Sequence, residues 1–292
     1  MKLLTMLIVG LLSGLHMMAQ TNPTYKLIKE DGHFYFKTDV NGVDAKLMLE
    51  SGVPGLMMSE AFYEANKDAL NMEVKESDEK IRYLSGMHKV KYTAQARLRI
   101  GDAVFEGPVK IVDGATDIKF PFHMLHHPSD SSTIVMIDLP RLEFSLLRKE
   151  QLPEFTKGAT ACDMTFNKWG MPVFTSRLSM KVEGRKANLE GEFIADMGNA
   201  SLLFLNQSQA LVDNMLARGA VTLREARDKT GNVVAEGLYA SKLTICDRTF
   251  KGISVGVARM KSLKECGFLG IKFFTMPTVF DIDNSKMYLC PR

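Results

Sequence analysis

The chain repeats itself, and that repetition limits what it can fold into. Leu243-Thr244-Ile245-Cys246-Asp247-Arg248-Thr249-Phe250-Lys251-Gly252 matches Leu98-Arg99-Ile100-Gly101-Asp102-Ala103-Val104-Phe105-Glu106-Gly107 without a gap, 145 positions later. Gly231 follows Gly86 at the same offset, Gly184 follows Gly42 by 142 positions, and Asp196 follows Glu50 by 146. Each copy reads in one order: a hairpin, an apolar run ending in an acid at a Gly-containing turn, a helix, a second hairpin, and two apolar strands. Self-similarity at a fixed offset is the mark of a duplicated structural unit.

The local signals are those of strands. Residues 34–40 and 45–49 flank Asn41-Gly42, a two-residue hairpin turn. Ser59 ahead of Glu60-Ala61-Phe62 predicts a capped helix start. Tyr83-Leu84-Ser85-Gly86-Met87 predicts a hairpin tip, and residues 96–100, 109–112, 134–138 and 142–147 predict further strands. In the second copy, residues 177–182 lead into Glu183-Gly184, and a helix is predicted from Asn206 to Ala217, stopped by Gly219. Phe268-Leu269-Gly270 and residues 279–282 answer the 134–138 and 142–147 strands. The expectation is an all-β protein of two pseudo-symmetric β lobes with a few short helices. Residues 21–150 form the first lobe and 169–292 the second. Between them 151–168 is a linker marked by Pro153 and Gly158.

With 292 residues and 46% hydrophobic content, the chain has ample material for a core. A net charge of +3, with no dense Lys/Arg tract, excludes the usual electrostatics of nucleic-acid binding. Lys2, an apolar stretch over 3–15 and the exit His16-Met17-Met18-Ala19-Gln20 read as a cleavable export signal over 1–20. The apolar stretch is too short to span a bilayer, which takes about 20 residues, and no Cys at the cleavage point would take a lipid. The expected product is exported, periplasmic or secreted, a monomer with no membrane anchor after cleavage. Export permits disulfides. Cys162, Cys246, Cys266 and Cys290 leave three pairings open, with buried free thiols as the alternative, and their spacing fits no zinc signature.

The two acids carry the chemistry. Phe193-Ile194-Ala195-Asp196-Met197-Gly198 and Leu47-Met48-Leu49-Glu50-Ser51-Gly52 each deliver a carboxylate from an apolar run to a tight turn. An ionised carboxylate loses solvation beside a core, so the arrangement points to function. Two carboxylates brought together about a pseudo-twofold axis share a proton and titrate as a pair. One can deprotonate a water while the other protonates a carbonyl oxygen, which hydrolyses peptide bonds without a metal or a covalent intermediate.

On these motifs the chain resembles the pepsin/retropepsin-like aspartic peptidases, in the two-lobe secreted form, over roughly residues 34–289. In that family each lobe has an apolar strand ending in Asp-Thr/Ser-Gly and, later, an apolar-apolar-Gly segment that packs across the turn. Asp196-Met197-Gly198 and Phe268-Leu269-Gly270 resemble that pair in the second lobe. Glu50-Ser51-Gly52 and Val135-Met136-Ile137 resemble it in the first. The resemblance implies pepsin-like lobes with an active-site cleft between them, and catalysis by Asp196 and Glu50. Ser51, Gly52, Met197, Gly198 and Gly270 would support the turns. Tyr83, Gly86 and Gly231 would form flaps over a peptide or unfolded-protein substrate, with no cofactor. Glu50 stands where the family has Asp, Met197 where it has a hydroxyl, and Met136 where it has Gly. The expected activity is therefore weakened, and the alternative is a pseudopeptidase that binds peptides without turnover. His123, His126 and His127, bracketed by Pro121 and Pro128, read as an unliganded loop.

Overall fold

The computed structural model describes residues 22–83, 86–113, 117–219, 221–227 and 233–291. The expected export signal and Gly231 lie outside the described residues.

The fold is mostly β, as the alternation of the sequence requires. In the strand His33–Val40, side chains alternate between core and surface. Asn41 and Gly42 both take positive φ, 50° and 85°, which a two-residue hairpin turn demands. The chain returns along Val43–Glu50. That strand pairs in parallel with Ile118–Pro121, which runs antiparallel to Leu56–Ser59. Leu56–Ser59 lies parallel to Ala103–Val112, which forms a hairpin with Gly86–Ile100. Gly86–Ile100 pairs back onto His33–Val40 and closes a ring. Phe36, Leu47, Leu49, Leu98, Val109, Ile111 and Phe120 fill it and are almost wholly buried.

The second copy builds the same ring with the same order and polarity. Pro172–Val182 forms a hairpin with Arg185–Ala195, which pairs in parallel with Gly267–Leu269. Leu203–Asn206 runs antiparallel to Gly267–Leu269 and parallel to Arg248–Ala258. Arg248–Ala258 pairs with Val233–Ile245, which returns to Pro172–Val182.

Six further strands join the copies. They lie in the order Thr24–Lys26, Glu143–Leu146, Ile134–Asp138, Thr278–Asp281, Lys286–Leu289, Thr160–Phe166. The central pair brings one hairpin from each copy together, with Val135 opposite Phe280. Aromatic contacts cement this layer to the rings; Phe122 and Phe280 stand 5.0 Å apart, centroid to centroid.

Three expectations need correction. The second-copy helix spans Ala210–Arg218, so Asn206 does not begin it. Asn206 ends a strand and is fully buried, because its side-chain amide donates to the carbonyls of Met260, Leu263 and Glu265. Second, the first-copy counterpart of Phe268-Leu269-Gly270 is Phe120-Pro121, which lies parallel to the acid strand with Pro121 opposite Glu50. Val135-Met136-Ile137 belongs to the joining layer, so Met136 does not pack across the first acid turn. Lys119 and Pro121 break up the apolar signal that would have marked Ile118–Pro121 as a buried strand. Third, residues 279–282 answer the 134–138 strand, not the 142–147 strand, since each opens a hairpin of the joining layer.

The helix after Ser59 forms as expected over Glu60–Leu70, with the Ser59 hydroxyl accepting the Phe62 N–H at 3.1 Å. Residues 151–168 carry the helix Leu152–Phe155 and the strand Thr160–Phe166. No helix among the described residues is long and apolar enough to cross a membrane.

Candidate active site

Glu50 ends its strand and Ala195, just before Asp196, ends the equivalent strand of the second ring. The two parallel neighbours, Ile118–Pro121 and Gly267–Leu269, fix where these strands stop, so both turns emerge at corresponding points. The turns face one another. Glu50 is 5% exposed, Asp196 half-buried, and the two carboxyls lie close enough to be coupled.

Glycines make this approach possible. A Cβ on Gly198 would sit 1.9 Å from Glu50 Oε2, and one on Gly52 would sit 2.6 Å from Asp196 Oδ1. Each acid therefore lies against the glycine of the opposite turn, and no side chain fits between them. Backbone amides hold Glu50: its Oε1 accepts the N–H groups of Ser51 at 3.0 Å, Gly52 at 2.8 Å and Gly198 at 3.2 Å. One of those donors comes from the other copy.

Ser51 stitches the turns together. Its buried hydroxyl donates to the Ala195 carbonyl at 2.5 Å and accepts the Met197 N–H at 2.9 Å. Met197 faces the core and is 1% exposed. Gly270 supports the second turn. Its N–H donates to the Leu202 carbonyl at 3.0 Å, and a Cβ there would meet the Asn199 and Ser201 carbonyl oxygens at 2.4 Å each. Pro121 occupies the matching place in the first copy and has no N–H to give.

Electrostatics couples the two acids. Burial, then the negative charge and close contact of Glu50, push the Asp196 carboxyl well above the usual range; the Gly198 N–H and Lys119 act weakly the other way. The raised carboxyl belongs to a coupled pair, which takes up and releases its protons as a unit.

Of the remaining expected residues, Tyr83 lies opposite Gly86 at the end of the hairpin formed by Lys80–Tyr83 and Gly86–Ile100. The histidines do not converge: His126 bonds to Thr133 at 2.7 Å, His127 to Ser129 at 2.9 Å, and His123 packs on Phe166. Pro121 and Lys119 are the members of the site that sequence reasoning missed. Their signal, an apolar-charged-apolar-Pro run before a short helical turn, was there but weak. No protein-family model matches the chain, and comparison with curated proteins returns no match.

Proposed function

We propose that this exported chain is an aspartic-peptidase-like protein of two pepsin-like lobes. It takes an extended peptide into the cleft between them and hydrolyses it slowly with the Glu50–Asp196 pair. The observation that carries this reading is the contact of two carboxyls, one from each copy, across two glycine turns that occupy equivalent places in two rings.

The division of labour follows from the surroundings. Asp196, kept neutral by burial and by its neighbour's charge, donates its proton to the scissile carbonyl oxygen. Glu50, as the anion, takes a proton from the attacking water, and the two together form a neutral hydrate. Glu50 then gives its proton to the departing amine while Asp196 takes one back from a hydroxyl of the hydrate, which breaks the C–N bond and restores the pair. The hairpin ending at Tyr83 and Gly86 would close over the substrate, whose backbone is held as an added strand. Glu in place of Asp lengthens the reach by about one methylene, and misplacements near 1 Å cost roughly a hundredfold; turnover is therefore weak.

One observation favours a second reading, a pseudopeptidase that binds peptide without cutting it. Glu50 Oε1 already accepts three backbone N–H groups, which pins the carboxyl that must receive the proton. Incubating the protein with an unfolded protein substrate between pH 3 and 7 separates the two. Cleavage that disappears in Asp196→Asn supports the peptidase. Saturable binding of peptide or a statine-like inhibitor without cleavage supports the second reading, and neither result leaves the fold as scaffold and sinks both.

A further inference from the structure

We propose that Cys162 and Cys246 are a disulfide-forming pair, joined by any oxidising thiol–disulfide compound that reaches them. Of the cysteine pairs the spacing left open, the fold favours this bond and leaves Cys266 and Cys290 as separate thiols.

The pair sits where two strands meet end to end along one neighbour. Pro172–Val182 pairs along the same edge with Thr160–Phe166, at Pro172 to Phe174, and with Val233–Ile245, at Leu178 to Lys181. Cys162 lies in the first of those strands and Cys246 in the turn that follows the second. Ser176 lies between the two ladder segments. Its hydroxyl accepts the Cys246 N–H at 3.0 Å and the Cys246 thiol at 3.3 Å. The Cys162 and Cys246 thiols lie close enough that each shifts the other's titration.

The first copy shows what this position does. Register in the joining layer makes Tyr25 the counterpart of Cys162, and the repeat makes Gly101 the counterpart of Cys246. There the Tyr25 ring packs onto Gly101, so closely that a Cβ would be 2.5 Å from it. The same fastening of an outer strand to a hairpin turn is made in the second copy by two thiols. Cys290 gives its thiol to the Phe155 carbonyl at 3.3 Å, and Cys266 packs against Gly191.

The two thiols are unequal, as exchange chemistry needs. Cys162 is half-buried and Cys246 buried. The nearby Cys246 thiol favours the Cys162 thiolate, and the same contact with burial pushes Cys246 up. Arg248 stands beside both. Its Nη1 donates to the Phe273 carbonyl at 3.3 Å, while Nε and Nη2 are buried without a hydrogen-bond partner among the described residues. Its charge favours both thiolates, while burial and the Asp247 charge oppose it at Cys162.

The Cys162 thiolate attacks one sulfur of a disulfide such as oxidised glutathione, breaking that bond and expelling one glutathione thiolate. Cys246, deprotonated by a solvent base, then attacks the Cys162 sulfur and expels the second glutathione thiolate. The protein dithiol loses two electrons and two protons, and one glutathione disulfide becomes two thiols.

The test uses the full chain, reduced, then incubated folded with oxidised glutathione, alkylated, digested and read by mass spectrometry. The expected result is one cross-linked peptide pair joining Cys162 to Cys246, with Cys266 and Cys290 alkylated. A rise in melting temperature of several degrees that dithiothreitol reverses should accompany it. Cys162→Ser and Cys246→Ser should each abolish both signals, and Cys290→Ser should keep them. A cross-link through Cys266 or Cys290, or four alkylated thiols in protein that remains folded by circular dichroism, overturns the proposal. It stands or falls independently of peptide cleavage.

Discussion

The hydroxyl of Ser51 donates to the carbonyl of Ala195, 144 residues away, and the contact is one-sided. The matching residue of the second copy, Met197, carries a thioether buried in the core. One buried hydroxyl, beside the Glu50 carboxyl that accepts the Gly198 N–H, thus ties the two acid turns together.

Replacing Ser51 with Ala leaves the Met197 N–H and the Ala195 carbonyl buried without this partner. A buried group left unsatisfied costs about 1–3 kcal/mol, and at this chain length each kcal/mol lowers the melting temperature by roughly 2–4 °C. Ser51→Ala should therefore melt several degrees below wild type by calorimetry, while Ser51→Thr, which keeps the hydroxyl, should stay close. Equal melting of wild type and Ser51→Ala would remove the clasp from the account.

Asp196 links stability to pH. Its folded carboxyl is held above the ordinary value of 3.8, so the folded state binds this proton more tightly than the unfolded one. That contribution is present at low pH and is lost as pH rises from about 3.8 through the folded value. Asn is neutral at every pH. The melting temperature of Asp196→Asn, relative to wild type, should therefore climb between pH 4 and pH 8. A difference that stays flat across that range would mean Asp196 is not held neutral in the native state.

The glycines opposite the acids should be intolerant in proportion to the space around them. Gly198→Ala drives a methyl into the Glu50 carboxyl, whereas a Cβ on Gly55 meets nothing within 4 Å. If the chain cleaves peptides, Gly198→Ala should lose about a hundredfold or more in kcat. Gly55→Ala should stay within about 0.5 kcal/mol of wild-type stability. Steady-state kinetics and urea titration on the two variants check both halves of this expectation.

Asn206 organises the loop before Gly267. It donates to three carbonyls and accepts the N–H groups of Ser208 and Met260. Asn206→Ala leaves several of these groups unpaired, and a loss of about 3 kcal/mol or more is expected. Urea unfolding would show it as a shift in midpoint. A shift of a few tenths would mean that water replaces the side chain easily.

Much of this was readable beforehand. The hairpin at Asn41-Gly42, the Ser59 cap and the repeated hairpin at Gly101 and Cys246 are local signals, and each acts where it is written. The meeting of Glu50 and Asp196 could be inferred only because duplication implies an axis. The parallel strand Ile118–Pro121 was not legible: it is four residues long, Lys119 sits within it, and its partners are distant in sequence. Asn206 misled for a related reason. A buried asparagine looks like a helix cap until its three carbonyl partners, more than fifty residues away, are known.

The central ladder between Ile134–Asp138 and Thr278–Asp281 joins the copies by main-chain hydrogen bonds, which take no account of side-chain identity. Cut the gene in two, and each product would present that strand as a bare margin to water. The nearest surface that fits it would be the same margin of a twin molecule, so a solitary first half should assemble as a twofold homodimer with glutamate facing glutamate.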